Sequence, residues 1–103
     1  MADVNDFFQN YLPNKLANNP NLAKDINAVY VFDIDGAGTW TVDLTKSEIT
    51  PTRHDDPGCV VSAKKADFEG MLDNPSSAMI LFTLGKLKVT NVGLALSLQK
   101  LLG

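Results

Sequence analysis

The stretch from Ala78 to Leu102 constrains this chain most, because it reads as helix, strand and helix with few polar residues in either helix. At roughly 100° per residue, Val92, Leu94, Ala95, Leu96, Leu98, Leu101 and Leu102 spread over an arc of about 220°. Only Gly93, Ser97 and Lys100 form a polar stripe. An ordinary surface helix needs about half that apolar arc. The last helix is therefore either wedged between two layers of its own domain, or keeps part of its face for a lipid, a membrane or a partner.

Upstream, the periodicity alternates between helix and strand. Asp3 or Asn5 can cap a first helix in which Phe7, Phe8, Tyr11, Leu12 and Leu16 recur at helical spacing, and Pro13 should break or restart it. Asn18-Asn19-Pro20-Asn21 is a turn, with Pro20 placed to open a short helix to about Asn27. From Ala28 the period becomes two, with Tyr30, Phe32 and Ile34 on one face. Asp35-Gly36-Ala37-Gly38 turns the chain into a returning strand whose Trp40, Val42 and Leu44 share a face. A short strand at Glu48 to Thr50, a loop from Pro51 to Gly58 and a buried strand from Cys59 to Ala63 follow. Asp67 to Leu72 reads as a helix, Asn74-Pro75 opens another that runs to Leu84, and Lys86 to Thr90 is the last strand. The expected fold class is α+β: about five strands in an antiparallel-rich sheet, covered by about five helices, in one domain over residues 1–103.

Charge excludes one class of partner. A net charge of −3 argues against nucleic acid, whose affinity comes from neutralised phosphates. Residues 1–77 hold all twelve acids against six bases, net −6, whereas residues 78–103 hold Lys86, Lys88 and Lys100 and no acid, net +3. That basic, apolar end either forms a solvated face or meets anionic head groups transiently. One cysteine precludes an internal disulfide and fits a reducing compartment, the N-terminus lacks a signal-peptide pattern, and Leu101-Leu102-Gly103 is not a peroxisomal address. A cytoplasmic location and a monomer are expected.

Catalytic and metal patterns are weak. Asp33-Ile34-Asp35-Gly36 resembles part of a calcium loop, but in that register Val31 and Val42 would stand at the first and twelfth ligand positions. Gly36-Ala37-Gly38 leads into a strand and cannot cradle phosphate. His54 precedes Cys59 by five residues, and a Cys-His pair can activate a thiolate. Here the thiol would lie in an apolar strand, where it is usually inert. No metal and no cofactor is expected, and no enzyme activity. Gln99 is either an outward amide at the edge of the apolar arc or a donor inside an apolar cavity.

Gly85-Lys86-Leu87-Lys88-Val89, followed by Gly93-Leu94-Ala95 and Leu98-Gln99-Lys100-Leu101, resembles the signature of the sterol carrier protein type 2 family. Val29-Tyr30-Val31-Phe32, Thr39-Trp40-Thr41-Val42-Asp43-Leu44, Cys59-Val60-Val61-Ser62, Asp67-Phe68 and Asn74-Pro75 stand in the family's order. The resemblance implies a hydrophobic tunnel between sheet and helices that holds a fatty acid, a fatty acyl-CoA, a sterol or a phospholipid without chemistry. The lining it implies here is Phe8 and Leu12, then Tyr30, Phe32, Ile34, Trp40, Val42 and Leu44. Phe68, Met71, Met79, Phe82, Leu87, Leu94, Leu98, Gln99 and Leu101 complete it. Asn91 stands where members usually have glycine, and Asn tolerates the left-handed conformation that such a turn would need. The alternative to a carrier is a protein-interaction or oligomerisation module that uses the apolar C-terminal helix.

Overall fold

The structure, a computed structural model, describes residues 3–102, with the side chains of Leu98 and Leu102 left out. Helix α1 covers residues 4–18 without a gap. Asp3 caps it, its carboxylate accepting the Asp6 N–H at 3.0 Å. The expected break at Pro13 is a change of register instead. After an α-turn at Val4–Asp6 the chain widens into a π-helical stretch, Phe7–Tyr11, and the α-helix resumes at Leu12–Asn18. The Leu12 N–H reaches back five residues to the Phe7 carbonyl. Proline lacks an N–H and crowds the carbonyl four residues back, and the shift lets the helix pass that position. Helix α2, Pro20–Ile26, ends at Asn27 in the left-handed conformation (φ 47°).

Strands β1 (Val29–Asp35) and β2 (Gly38–Asp43) form an antiparallel hairpin, and β3 (Glu48–Thr50) pairs antiparallel on β2. Strand β4 (Cys59–Lys64) lies parallel to β1, and β5 (Leu87–Val89) antiparallel to β4. The sheet order is β3-β2-β1-β4-β5, so the sheet is mixed, with antiparallel pairs in the majority. The parallel pair requires the chain to cross from one edge to the other side of β1, and the loop 51–58 makes that crossing over the outer face. There Thr41 donates to the Thr52 carbonyl at 2.6 Å and accepts the His54 N–H at 3.0 Å. Val31, paired with Thr41 and Val60, is consequently buried although it faces away from the helices.

The main core lies on the other face. Period-two alternation puts Tyr30, Phe32 and Ile34 in register with Val42, Trp40, Cys59, Val61 and Ala63, all buried. Over them pack Phe7, Phe8, Leu12 and Leu16 of α1, Phe68 and Met71 of α3 (Lys65–Asp73), and Leu101 of α5 (Val92–Leu102). Between α3 and β5 the chain makes a 3-10 turn, Pro75–Ser77, and helix α4, Ala78–Thr83, which has no buried residue.

Candidate apolar ligand site

Two capping devices place the last two helices. Helix α4 ends at Gly85 in the left-handed region (φ 75°), where the Lys86 N–H bonds to the Leu81 carbonyl at 2.9 Å and the Gly85 N–H to that of Phe82 at 3.1 Å. This double bond pattern closes a helix end and needs a residue without a Cβ penalty. Helix α5 opens at Asn91, whose side-chain oxygen accepts the Leu94 N–H at 3.0 Å while its carbonyl accepts the Ala95 N–H at 2.9 Å. Asn91 is thus a helix cap, outside the left-handed region, which corrects the expectation drawn from the glycine it replaces.

The sheet then holds α5 by its first turns. The Tyr30 hydroxyl donates to the Leu94 carbonyl at 2.6 Å, and the Cys59 thiol to the Asn91 carbonyl at 3.6 Å. Burial pushes the Tyr30 phenol up to about 12, with Cys59 adding to the rise and a hydrogen bond with Ser97 opposing it. Gly58 permits the approach, since a Cβ there would meet Leu94 Cδ1 at 3.0 Å. Leu94, Ser97 and Leu101, three and four residues apart, therefore face the core, whereas Val92, Ala95, Leu96 and Gln99 fall on nearly the opposite side. The broad apolar arc has two uses: one stripe packs and the other does not.

That second stripe forms one wall of a cleft of about 130 Å³. Ala78, Met79 and Phe82 of α4 form the facing wall, and Met71, Leu87 and Val89 complete the lining. Met79, Val92 and Leu96 are each more than half exposed, so the cleft opens to solvent. Gln99 is the one polar residue of its lining and is itself exposed.

Of the residues expected to line a tunnel, the cleft brings together Met71, Met79, Phe82, Leu87 and Gln99. Phe8 and Trp40 line a different hollow, between α1 and the β2–β3 edge. Leu12, Tyr30, Phe32, Ile34, Val42, Leu44, Phe68 and Leu101 are packed in the core, and Leu94 lies half-buried against it. The Leu98 side chain lies outside the described residues. Ala78, Val89, Val92, Ala95 and Leu96 line the cleft without being among the expected residues, although Val92, Ala95 and Leu96 belong to the apolar arc of the last helix. An arc shows which positions are apolar but not which side of a helix meets the core.

The basic C-terminal end is not one surface. Lys86 and Lys88 share a groove with Lys64, Asp35 and Asp67, whereas Lys100 lies with Lys15 and Asp25. His54 and Cys59 do not form a pair: the Cys59 thiol is buried in the core, and His54 sits in the loop across the outer face, its Nδ1 accepting the Asp56 N–H at 3.0 Å. Among the described residues no helix is long and apolar enough to cross a membrane.

This architecture has known counterparts. Sterol Carrier Protein 2 from Yarrowia lipolytica (apo form) superposes with a TM-score of 0.75 at 23% identity, over 94% of this chain and 81% of that one. Palmitated SCP2L2 from Aedes aegypti gives 0.78 at 17% identity, over 98% and 95% of the two chains. Sterol Carrier Protein-2 from Aedes aegypti in complex with palmitate gives 0.77 at 17% identity, over 100% and 97%. Identities this low show a shared fold. No curated protein matches the chain by sequence. A family model described as the SCP-2 sterol transfer family matches residues 8–103. The chain therefore belongs to the SCP-2 sterol transfer family.

Proposed function

We propose that this protein is a non-enzymatic cytoplasmic carrier that binds one acyl lipid, a fatty acid or its coenzyme A thioester, with the chain in the cleft between α4 and α5. The observation that carries this reading is the cleft's chemistry: nine apolar side chains around one amide, Gln99. Affinity then comes from alkyl burial, at about 0.8 kcal/mol per methylene, and Gln99 orients the head group. The cleft's 130 Å³ is below the roughly 300 Å³ at which ligand sites begin, so loading moves a wall. Helix α4 is that wall, because none of its residues is fully buried and only Ala78 and Leu81 are half-buried against the core. The palmitate of the two Aedes aegypti neighbours supports the ligand class. A reaction at His54 or Cys59 is disfavoured by their places on opposite faces of the sheet. Native mass spectrometry of freshly purified protein tests the proposal: a discrete added mass, released by organic solvent and identified as an acyl lipid, is expected, and protein that stays bare when offered fatty acid or acyl-CoA overturns it.

A second reading rests on Ile80 and Leu84, 62% and 63% exposed and outside the cleft lining. Four residues apart, they offer an apolar stripe to a second copy. Sedimentation velocity separates the two, since self-association depends on protein concentration and not on lipid.

A further inference from the structure

A second, partly apolar hollow lies apart from the cleft. The cleft lies at the β5 edge of the sheet, while at the opposite, β3 edge this hollow of about 580 Å³ opens beneath α1, with Phe8, Leu16, Trp40 and Ile49 in its wall beside Gln9 and Thr50. Its size falls within the roughly 300–1,000 Å³ range of small-molecule sites, and the acyl site proposed above does not use it.

A ladder of aromatic rings connects the two. Met71, in the cleft wall, and Phe68 stand three residues apart on α3 and share its inward face. The Phe68 ring lies parallel to that of Phe8, 6.0 Å away at 10°, and the Phe8 ring lies parallel to that of Trp40, 4.7 Å away at 11°. Phe32 closes the run from the sheet, 5.2 Å from Phe8 and 5.9 Å from Phe68. The backbone around this ladder is unevenly held. The Val4 N–H bonds to the Glu69 carboxylate at 3.1 Å and ties the start of α1 to α3. Phe8 itself sits in the π-helical stretch that carries α1 past Pro13.

We propose that the rings of Phe8 and Phe68 form a gate across the inner face of the sheet. Closed, the gate ends the acyl compartment at Met71. Opened, it joins that compartment to the hollow at Trp40, so the two rings set the longest acyl chain the protein accepts. The inference rests on the carrier reading and adds the residues that select among its ligands.

The test is competition binding of a series of saturated fatty acids, from lauric to behenic, to the wild type, Phe8→Ala, Phe8→Leu and Phe68→Leu. Phe7→Leu serves as control, because Phe7 is buried and meets Phe68 edge-on at 6.0 Å but lines neither opening. Wild-type affinity is expected to rise about fourfold per methylene until the chain reaches the gate, and then to level off. In Phe8→Ala the rise continues over further methylenes, in both leucine variants over fewer, and in Phe7→Leu it stops where the wild type does. Phe8→Leu carries the test if Phe8→Ala does not fold. Trp40, the sole tryptophan, should change its emission only with acids long enough to pass the gate. If binding levels off at the same chain length in all folded variants, or if Phe7→Leu shifts it as far as Phe8→Leu, the gate is overturned while the carrier reading stands. A wild type that binds no acid of any length overturns both.

Discussion

Single side chains decide how α5 meets the sheet, and two of them make measurable predictions. Asn91 caps α5 and its carbonyl receives the Cys59 thiol. Replacing Asn91 with Ala removes the side-chain cap, and chemical denaturation should show a loss of about 1 kcal/mol. Tyr30 acts through its proton. Its phenol is raised from 10.0 to about 12 by burial, so the neutral form is favoured in the fold. That contribution is fully present below about pH 10 and is lost as pH rises towards 12. Urea unfolding across this window should show stability falling for the wild type and falling less steeply for Tyr30→Phe, which has no phenol to titrate. The sequence makes Tyr30 inward by strand period alone. Its bond to Leu94, 64 residues away, follows from the packing of α5 and has no local signal.

At the scale of elements, periodicity located every strand and helix but not the use of each face. Pro13 marks the register change in α1, yet a proline cannot say whether the chain will stop or widen. In α5 the apolar arc divides into a packed stripe and a cleft stripe, and the dividing line depends on Tyr30, Cys59 and Gly58. The cleft stripe gives the sharpest test of function. Leu96 is 54% exposed, so Leu96→Asp should fold normally. With an acyl chain in place the new carboxylate loses water, and fatty-acid affinity should fall at least about tenfold in a competition assay. Ile80→Asp, outside the cleft lining, should leave that affinity unchanged and would abolish self-association if α4 were an interface.

For the whole molecule, a carrier's ligand is part of its stability. A ligand at about a hundred times its Kd adds about 2.7 kcal/mol, and a domain this small gains about 4–8 °C per kcal/mol. Palmitate at saturation should therefore raise the Tm by on the order of 10 °C in differential scanning fluorimetry, with the shift following ligand concentration logarithmically. A Tm indifferent to every lipid class would mean that the core is complete without one. The fold class and the strand faces were legible in the amino-acid sequence, because each rests on local backbone preference and on period-two or helical spacing within a few residues, and the family was legible through the resemblance carried by the Gly85-Lys86-Leu87-Lys88-Val89 motif. The place of the open cleft was not legible. Tyr30, Phe32 and Val42, expected beside a ligand, belong to the packed core, while Val92, Ala95 and Leu96 line the cleft. Side-chain apolarity is a property of a residue, whereas a cavity is what remains when helices settle on a sheet. That settling is decided by the crossover that makes β1 and β4 parallel, by the bonds that hold α5 to Tyr30 and Cys59, and by an α4 that meets the core only through half-buried Ala78 and Leu81.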